Sequence, residues 1–280
     1  MMNARRQRLR LGLPALAILA LLLAGACGED STAAEIPGVT VVARDYAFEM
    51  PEEVPAGRVR LTLRNEGPEP HHAQPARLKD GVTLEQFTAQ LQQGPEAALP
   101  LLSFPGGPGP VASGTSQDVT LDLVEGQYVM LCFVESPDGA PHLAKGMMQP
   151  FRVTGTGIGD DDPRADDEVT LRDFGFTLPE SMAGDATLKV INAGPQVHEM
   201  GVVKPAEGTT VRDVLDYFHE PQGPPPFAPA GGMQALDPNA SGWLHLDLEP
   251  GAYMAICLIP DPGSGRPHAD LGMIQEFTVE

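Results

Sequence analysis

Cysteine is scarce in this sequence, with three in 280 residues, so each one asks for a reason. Basic residues are outnumbered: 18 Lys and Arg face 38 Asp and Glu, for a net charge of −20 with His neutral. A surface of that sign repels nucleic acid and anionic lipid, which argues against both as partners, and it would attract a basic protein. Long apolar runs are missing too. Residues 11–23 form an apolar stretch that is too short for a comfortable membrane span.

What is there begins with an export signal. Arg5, Arg6, Arg8 and Arg10 form a basic region, the apolar stretch follows, and Ala24-Gly25-Ala26 offers a small-residue cleavage site. Residues 1–26 therefore read as a signal peptide. Cleavage would leave Cys27 first, which resembles a bacterial lipoprotein signal, with Cys27 carrying lipid. Ala24 stands where such signals usually place Leu, and ordinary secretory cleavage is the alternative. Either way the mature protein is expected outside the cytoplasm, lipid-anchored to a membrane if Cys27 is modified. Residues 27–37 would be the tether.

The rest of the chain says nearly the same thing twice. Asp45-Tyr46-Ala47-Phe48 returns as Asp173-Phe174-Gly175-Phe176. Asn65-x-Gly67 returns as Asn192-x-Gly194, with His71 matched by His198. Cys132, His142 and Met147 return as Cys257, His268 and Met273 at a nearly constant offset. Self-similarity over this length means a duplicated domain rather than a solenoid. The halves are residues 38–155 and 168–280. Residues 156–167, acidic and rich in Gly and Asp, read as a linker.

Within each half the signals are mostly strand. Val59, Leu61 and Leu63 alternate with Arg58, Arg60, Thr62 and Arg64; Leu188, Val190 and Asn192 alternate with Lys189 and Ile191. Such period-2 patterns between Gly and Pro turns predict an all-β fold of two sandwiches in tandem. One short helix interrupts each. Leu84, Phe87 and Leu91 share a face behind a possible Thr83/Gln86 capping box, and Val211, Val214, Leu215 and Phe218 mark the second helix. The Pro- and Gly-rich segments 102–110 and 221–232 are expected to be irregular loops.

The matched polar residues make a chemical set. Each half holds two imidazoles, one thiol and one thioether: His71, Cys132, His142 and Met147, then His198, Cys257, His268 and Met273. A trigonal His₂Cys plane with a weak axial Met is the ligand set of a blue-copper site. Each residue also has a duller reading. The cysteines could be buried structural thiols or bridged to each other, though a bridge between the same strand end of two separate domains is disfavoured. The methionines could be core, and Met148 competes for the axial role. His72, His219 and His245 have no matching His and read as satisfied or surface side chains.

The N-x-G-x-x-x-H, Y-x-x-x-C and P-H-x-x-x-x-M phrases resemble those of the cupredoxin family, the plastocyanin and azurin group, here in duplicate. The resemblance implies Greek-key sandwiches, one copper per domain with single-electron transfer, and Asn65 and Asn192 tying the ligand loops together. A basic redox partner would suit the acidic surface. One departure stands out: nine residues separate Cys132 from His142 and ten separate Cys257 from His268, a longer loop than small electron carriers use. A longer loop is expected to hold the second His less firmly. Catalysis is not expected, because no His-x-His pair occurs and Leu131 and Ile256, not His, precede the cysteines. The other readings are a copper-holding or sensing lipoprotein that transfers no electrons, and a metal-free binding module. Oligomeric state is not encoded in any of these features.

Overall fold

A computed structural model describes residues 35–157 and 162–280. The signal segment, Cys27, nearly all of the tether and part of the linker lie outside the described residues. The strands of the first half are β1 (Gly38–Arg44), β2 (Ala47–Glu49), β3 (Glu53–Pro55), β4 (Gly57–Asn65), β5 (Gln74–Leu78), β6 (Leu102–Ser103), β7 (Ser116–Leu123), β8 (Gly126–Leu131) and β9 (Met148–Thr154). Those of the second are β10 (Asp167–Arg172), β11 (Gly175–Thr177), β12 (Thr187–Asn192), β13 (His198–Pro205), β14 (Phe227–Leu236), β15 (Ser241–His245), β16 (Gly251–Ile256) and β17 (Ile274–Val279). Helices α1 (Leu84–Leu91) and α2 (Pro95–Ala98) follow β5, and α3 (Val211–His219) follows β13.

The alternation seen in the sequence sets the faces. Along β4 the residues Val59, Leu61, Leu63 and Asn65 are buried while Arg60 and Arg64 are exposed. Along β12 Leu188, Val190 and Asn192 are buried. Burying each of these aliphatic side chains contributes about 1.5–3 kcal/mol. Helices α1 and α3 open on a capping box, Thr83 with Gln86 and Thr210 with Asp213, which satisfies amides the first turn would otherwise leave without partners. Phe87 and Val214 are the side chains they bury, whereas Phe218 stacks on Phe227 and stays partly exposed.

The two halves share a sheet. Its order is β11-β10-β12-β15-β7-β4-β1-β2, so four strands of one half meet four of the other where β15 and β7 pair antiparallel, with Trp243 opposite Thr120. The order reads the same outward from that seam, as a two-fold relation between repeats requires. A five-stranded sheet, β3-β9-β8-β5-β6, faces it in the first half, and a four-stranded sheet, β14-β13-β16-β17, in the second. One continuous apolar cluster includes Leu61 and Cys132 from the first half and Leu188 and Cys257 from the second.

The expected irregular loops hold for residues 104–110 and 221–226, which form no regular strand, and need correction at their ends. Phe227 to Gly232 belongs to β14, and residues 104–111 of the first half run alongside it, through Gly106 N to Ala235 O at 2.9 Å, Gly109 N to Gly232 O at 2.9 Å and Gly231 N to Pro110 O at 2.8 Å. β14 pairs with β13 of its own half on one side and with residues 104–111 of the other half on the other, so it is enclosed on both edges and its Pro- and Gly-rich sequence carries no period-2 signal.

Candidate metal centres

In the first half three buried donors converge. Nδ1 of His71 lies 3.0 Å from Nδ1 of His142; Sγ of Cys132 lies 3.4 Å from Nδ1 of His142 and 3.9 Å from Nδ1 of His71. All three residues are 0 % exposed. The second half repeats this, with 3.0 Å between Nδ1 of His198 and Nδ1 of His268 and 3.4 Å from Cys257 Sγ to the latter. Both cysteines are free thiols, which removes the bridge as an alternative. A point equidistant from the three atoms of the first set is about 2 Å from each, the length of a metal–nitrogen bond. Two imidazoles and a thiolate suit copper, and both buried groups could hold it. Met147 and Met273 are fully buried in the same apolar cluster as the cysteines.

The ligands are set by local structure. Cys132 follows β8 and Cys257 follows β16, so each thiol is carried on a strand end. His142 and His268 each open a short 3₁₀ turn that closes at a left-handed glycine, Gly146 (φ 98°) and Gly272 (φ 114°). Main-chain bonds from Met147 N to His142 O and Met273 N to His268 O, both 2.9 Å, close the turn between each His and its Met. The long Cys–His loops are zipped rather than loose. His142 N donates to Val134 O at 2.8 Å and Ser136 N to Ala140 O at 3.0 Å; His268 N donates to Ile259 O at 2.9 Å and Asp261 N to Arg266 O at 2.8 Å. The extra residues form a small antiparallel arm, so the added length does not free the histidine.

Outer contacts orient each ring. Nε2 of His71 donates to Asp45 Oδ1 at 2.6 Å, and Nε2 of His198 to Asp173 Oδ1 at 2.6 Å. Nε2 of His142 meets Glu69 Oε2 at 2.9 Å, whereas Nε2 of His268 meets Gln196 Oε1 at 3.0 Å. With the proton held on Nε2, the Nδ1 lone pair points inward. Asn65 Nδ2 donates to Glu69 O (2.8 Å) and Val111 O (3.1 Å), and its Oδ1 accepts from Gly67 N (2.9 Å). Asn192 makes the same three bonds, to Gln196 O, Leu236 O and Gly194 N. Glycine two residues on is a steric demand: a Cβ at Gly67 would lie 2.4 Å from Asp45 Oδ1 and 2.8 Å from His71 Nε2. A Cβ at Gly194 would crowd Asp173 and His198 in the same way.

Sequence reasoning did not assign Asp45, Asp173, Glu69 or Gln196. The signal for the aspartates was present, since both head the matched D-Y-A-F and D-F-G-F phrases. Glu69 and Gln196 differ in type, so matching identical residues passes over them.

Burial dominates the acid–base behaviour. It pushes the Cys132 thiol up to about 12, against the pull of the His72 and Val134 amides, and raises Cys257 further. Burial likewise lowers His71 and His268, which favours the neutral, ligating form. Burial opposes ionisation of Glu69, but hydrogen bonds with Ser136, Tyr46 and His142 outweigh it and hold its pKa below the ordinary range. Desolvation pushes half-buried Glu199 up to about 7.

His72 is not in the donor group. Its ring stacks on Phe133, Nε2 accepts from Phe133 N at 2.8 Å, and Nδ1 has no protein partner. Burial lowers its pKa to about 3. The unfolded chain takes up a proton near 6.5 that the folded chain refuses, so stability falls as pH drops from about 6.5 toward 3, by up to about 4 kcal/mol at the low end. His72→Gln, which keeps an acceptor for Phe133, is expected to flatten that slope in urea unfolding measured from pH 7 to 4. An unchanged slope would assign the acid sensitivity elsewhere. His245 bonds Thr120 and Thr187, and exposed His219 pairs with Asp270.

No family model matches the chain, and no curated protein sequence does either. Solved structures do. Auracyanin from Roseiflexus castenholzii aligns at 20 % identity over 42 % of this chain and 97 % of its own, with a TM-score of 0.30. A multicopper oxidase aligns at 17 % identity over 87 % of this chain and 88 % of its own, with a TM-score of 0.25. The copper nitrite reductase of Nitrosomonas europaea aligns at 14 % identity over 88 % of this chain and 94 % of its own, TM-score 0.25. Likenesses this weak carry no functional inference. The two buried His–Cys–His groups in a duplicated β fold fit a tandem cupredoxin-like protein on their own geometry.

Proposed function

We propose that this protein is an exported single-electron carrier holding one type 1-like copper in each half. The observation that carries the reading is the pair of converging donor sets, each with both Nδ1 atoms and Sγ fully buried. Copper would supply the one-electron couple. Cys132 and Cys257 would hold it as thiolates and the four histidines through Nδ1, and Met147 and Met273 would offer thioethers. Asp45 and Asp173 hold the first His of each set in the ligating tautomer, and Asn65 and Asn192 hold the loops, so little would move when the charge changes.

Burial also argues for transfer rather than catalysis. A catalytic metal keeps a position open to substrate, whereas here Tyr46 packs 4.9 Å from the His142 ring and Phe174 5.0 Å from the His268 ring, covering donors that have no exposure. The reading extends to a lipid anchor at Cys27, supported by the sequence pattern there, and to a basic redox partner, supported by the charge of −20. Among the described residues no helix is long and apolar enough to cross a membrane. Cys27→Ser is expected to move the exported protein from the membrane fraction to the soluble one; retention in the membrane would refute the anchor.

Copper titration of the purified protein is expected to end at two ions with an intense visible absorption, and voltammetry to show reversible one-electron waves. Tight binding of Cu(I) without a reversible couple would favour a copper-holding protein. A colourless protein that binds no copper would leave only the binding module.

A further inference from the structure

The duplication invites a position-by-position comparison of the two centres, and the difference between them is concentrated at one place. Behind His142 stands a carboxylate, Glu69. Behind His268 stands a neutral amide, Gln196. A second difference is chemically linked to the first. Tyr46 donates its hydroxyl to Glu69 Oε1 at 2.9 Å, and Ser136 Oγ reaches that hydroxyl at 3.2 Å. The second half has Phe174 in place of Tyr46, with no hydroxyl to give, and Gln196 instead passes its amide to Asp261 at 3.1 Å. In the first half these bonds hold a carboxylate directly against the second His; in the second half the carboxylate, Asp261, stands one residue further back, behind Gln196.

The other charges near the two centres differ as well: Lys145 lies by the first, and Asp261 and Glu199 lie by the second. Asp45 and Asp173 are equivalent. Lys145 approaches Tyr46 at 3.2 Å but is paired with Asp138 at 2.8 Å. Beside the thiol, His72 in the first half is replaced by Glu199 in the second, whose Oε1 accepts from Leu258 N at 2.9 Å.

We propose that Glu69 and Gln196 make the two centres unequal, so that the first has the lower reduction potential and a molecule given one electron keeps it at the second. A carboxylate on the remote nitrogen makes the imidazole more basic and adds negative charge behind it, which stabilises the higher oxidation state; an amide does so less. Glu69 and Gln196 are positioning residues acting through His142 and His268. The step balances as one electron from an external donor protein or chemical reductant, with no proton or bond change required. The inference rests on the copper reading above.

The test uses single-centre proteins. Cys257→Ser leaves the first centre, and Cys132→Ser leaves the second. Glu199→Gln is added to the latter to remove the half-buried acid that the second centre has beside its thiol and the first lacks. Spectroelectrochemical titration is expected to give the lower potential for the first centre. Glu69→Gln is expected to raise it by about 59 mV, a tenfold change in the relative affinity for the two oxidation states. Gln196→Glu with Phe174→Tyr is expected to lower the second by a similar amount. With one equivalent of dithionite-derived electrons, the wild-type protein should lose first the absorption seen in the Cys132→Ser protein. Equal potentials, or no shift in either exchange while the visible band is retained, would overturn the inference. Absence of the band from wild type would refute the copper reading instead.

Discussion

Cys132→Ser is expected to halve the copper content, from two ions to one, and to remove the part of the visible absorption that belongs to the first centre. Cys257→Ser should do the same for the second, and the double variant should be colourless. The cause is the thiolate. It is the soft, charged member of each set, and the intense band of such a site arises from charge moving from that sulfur to the metal. A serine hydroxyl at the same place stays protonated at neutral pH and offers a hard oxygen. Loss of a direct ligand should cost more than the 10–100-fold in affinity typical of an outer partner. Serine is close to cysteine in size, so the core around Met130 and Leu131 should hold and the apo variants should still unfold cooperatively. Metal analysis with visible spectra on the three variants checks this. Full absorption retained in either single variant would remove that cysteine from the ligand set.

Asn65→Ala is expected to cost about 3 kcal/mol of stability. The Asn65 side chain makes three hydrogen bonds that join the loop before His71 to Val111, and Val111 exchanges two main-chain bonds with His71 itself, His71 N to Val111 O and Val111 N to His71 O. Alanine removes all three side-chain bonds while the backbone groups stay buried, at about 1 kcal/mol or more for each. Because Asn192 makes the same three bonds, Asn192→Ala should cost a similar amount. Urea unfolding of the apo proteins reads the cost, and copper affinity at the matching centre should fall with it. A loss under about 0.5 kcal/mol would show that packing, not the amide, holds the loop.

These two expectations draw on different levels of the molecule. The ligand types and their order were readable along the chain, because a duplication prints the same chemistry twice and chance does not. The inward parity of Asn65 and Asn192 was readable too, since each continues the buried alternation of its strand. The outer partners were not. Glu69 is two residues from His71 but bonds His142, 73 positions away, and no local pattern announces such a pair. The zipped Cys–His arms were missed for a related reason: their rigidity comes from cross-loop amide bonds at 134–142 and 259–268, which loop length alone does not disclose.

The chain by itself specified a doubled β architecture and the four candidate donor residues in each copy, because period-2 burial and short polar phrases are local properties. How the copies meet was decided in three dimensions. The seam between β7 and β15, and the pairing of residues 104–111 with β14, join segments more than 100 positions apart. Their hydrogen bonds are backbone to backbone, so they leave little trace in side-chain identity. The unequal backing of the two second histidines belongs to the same category: only folding places a carboxylate behind one ring and an amide behind the other.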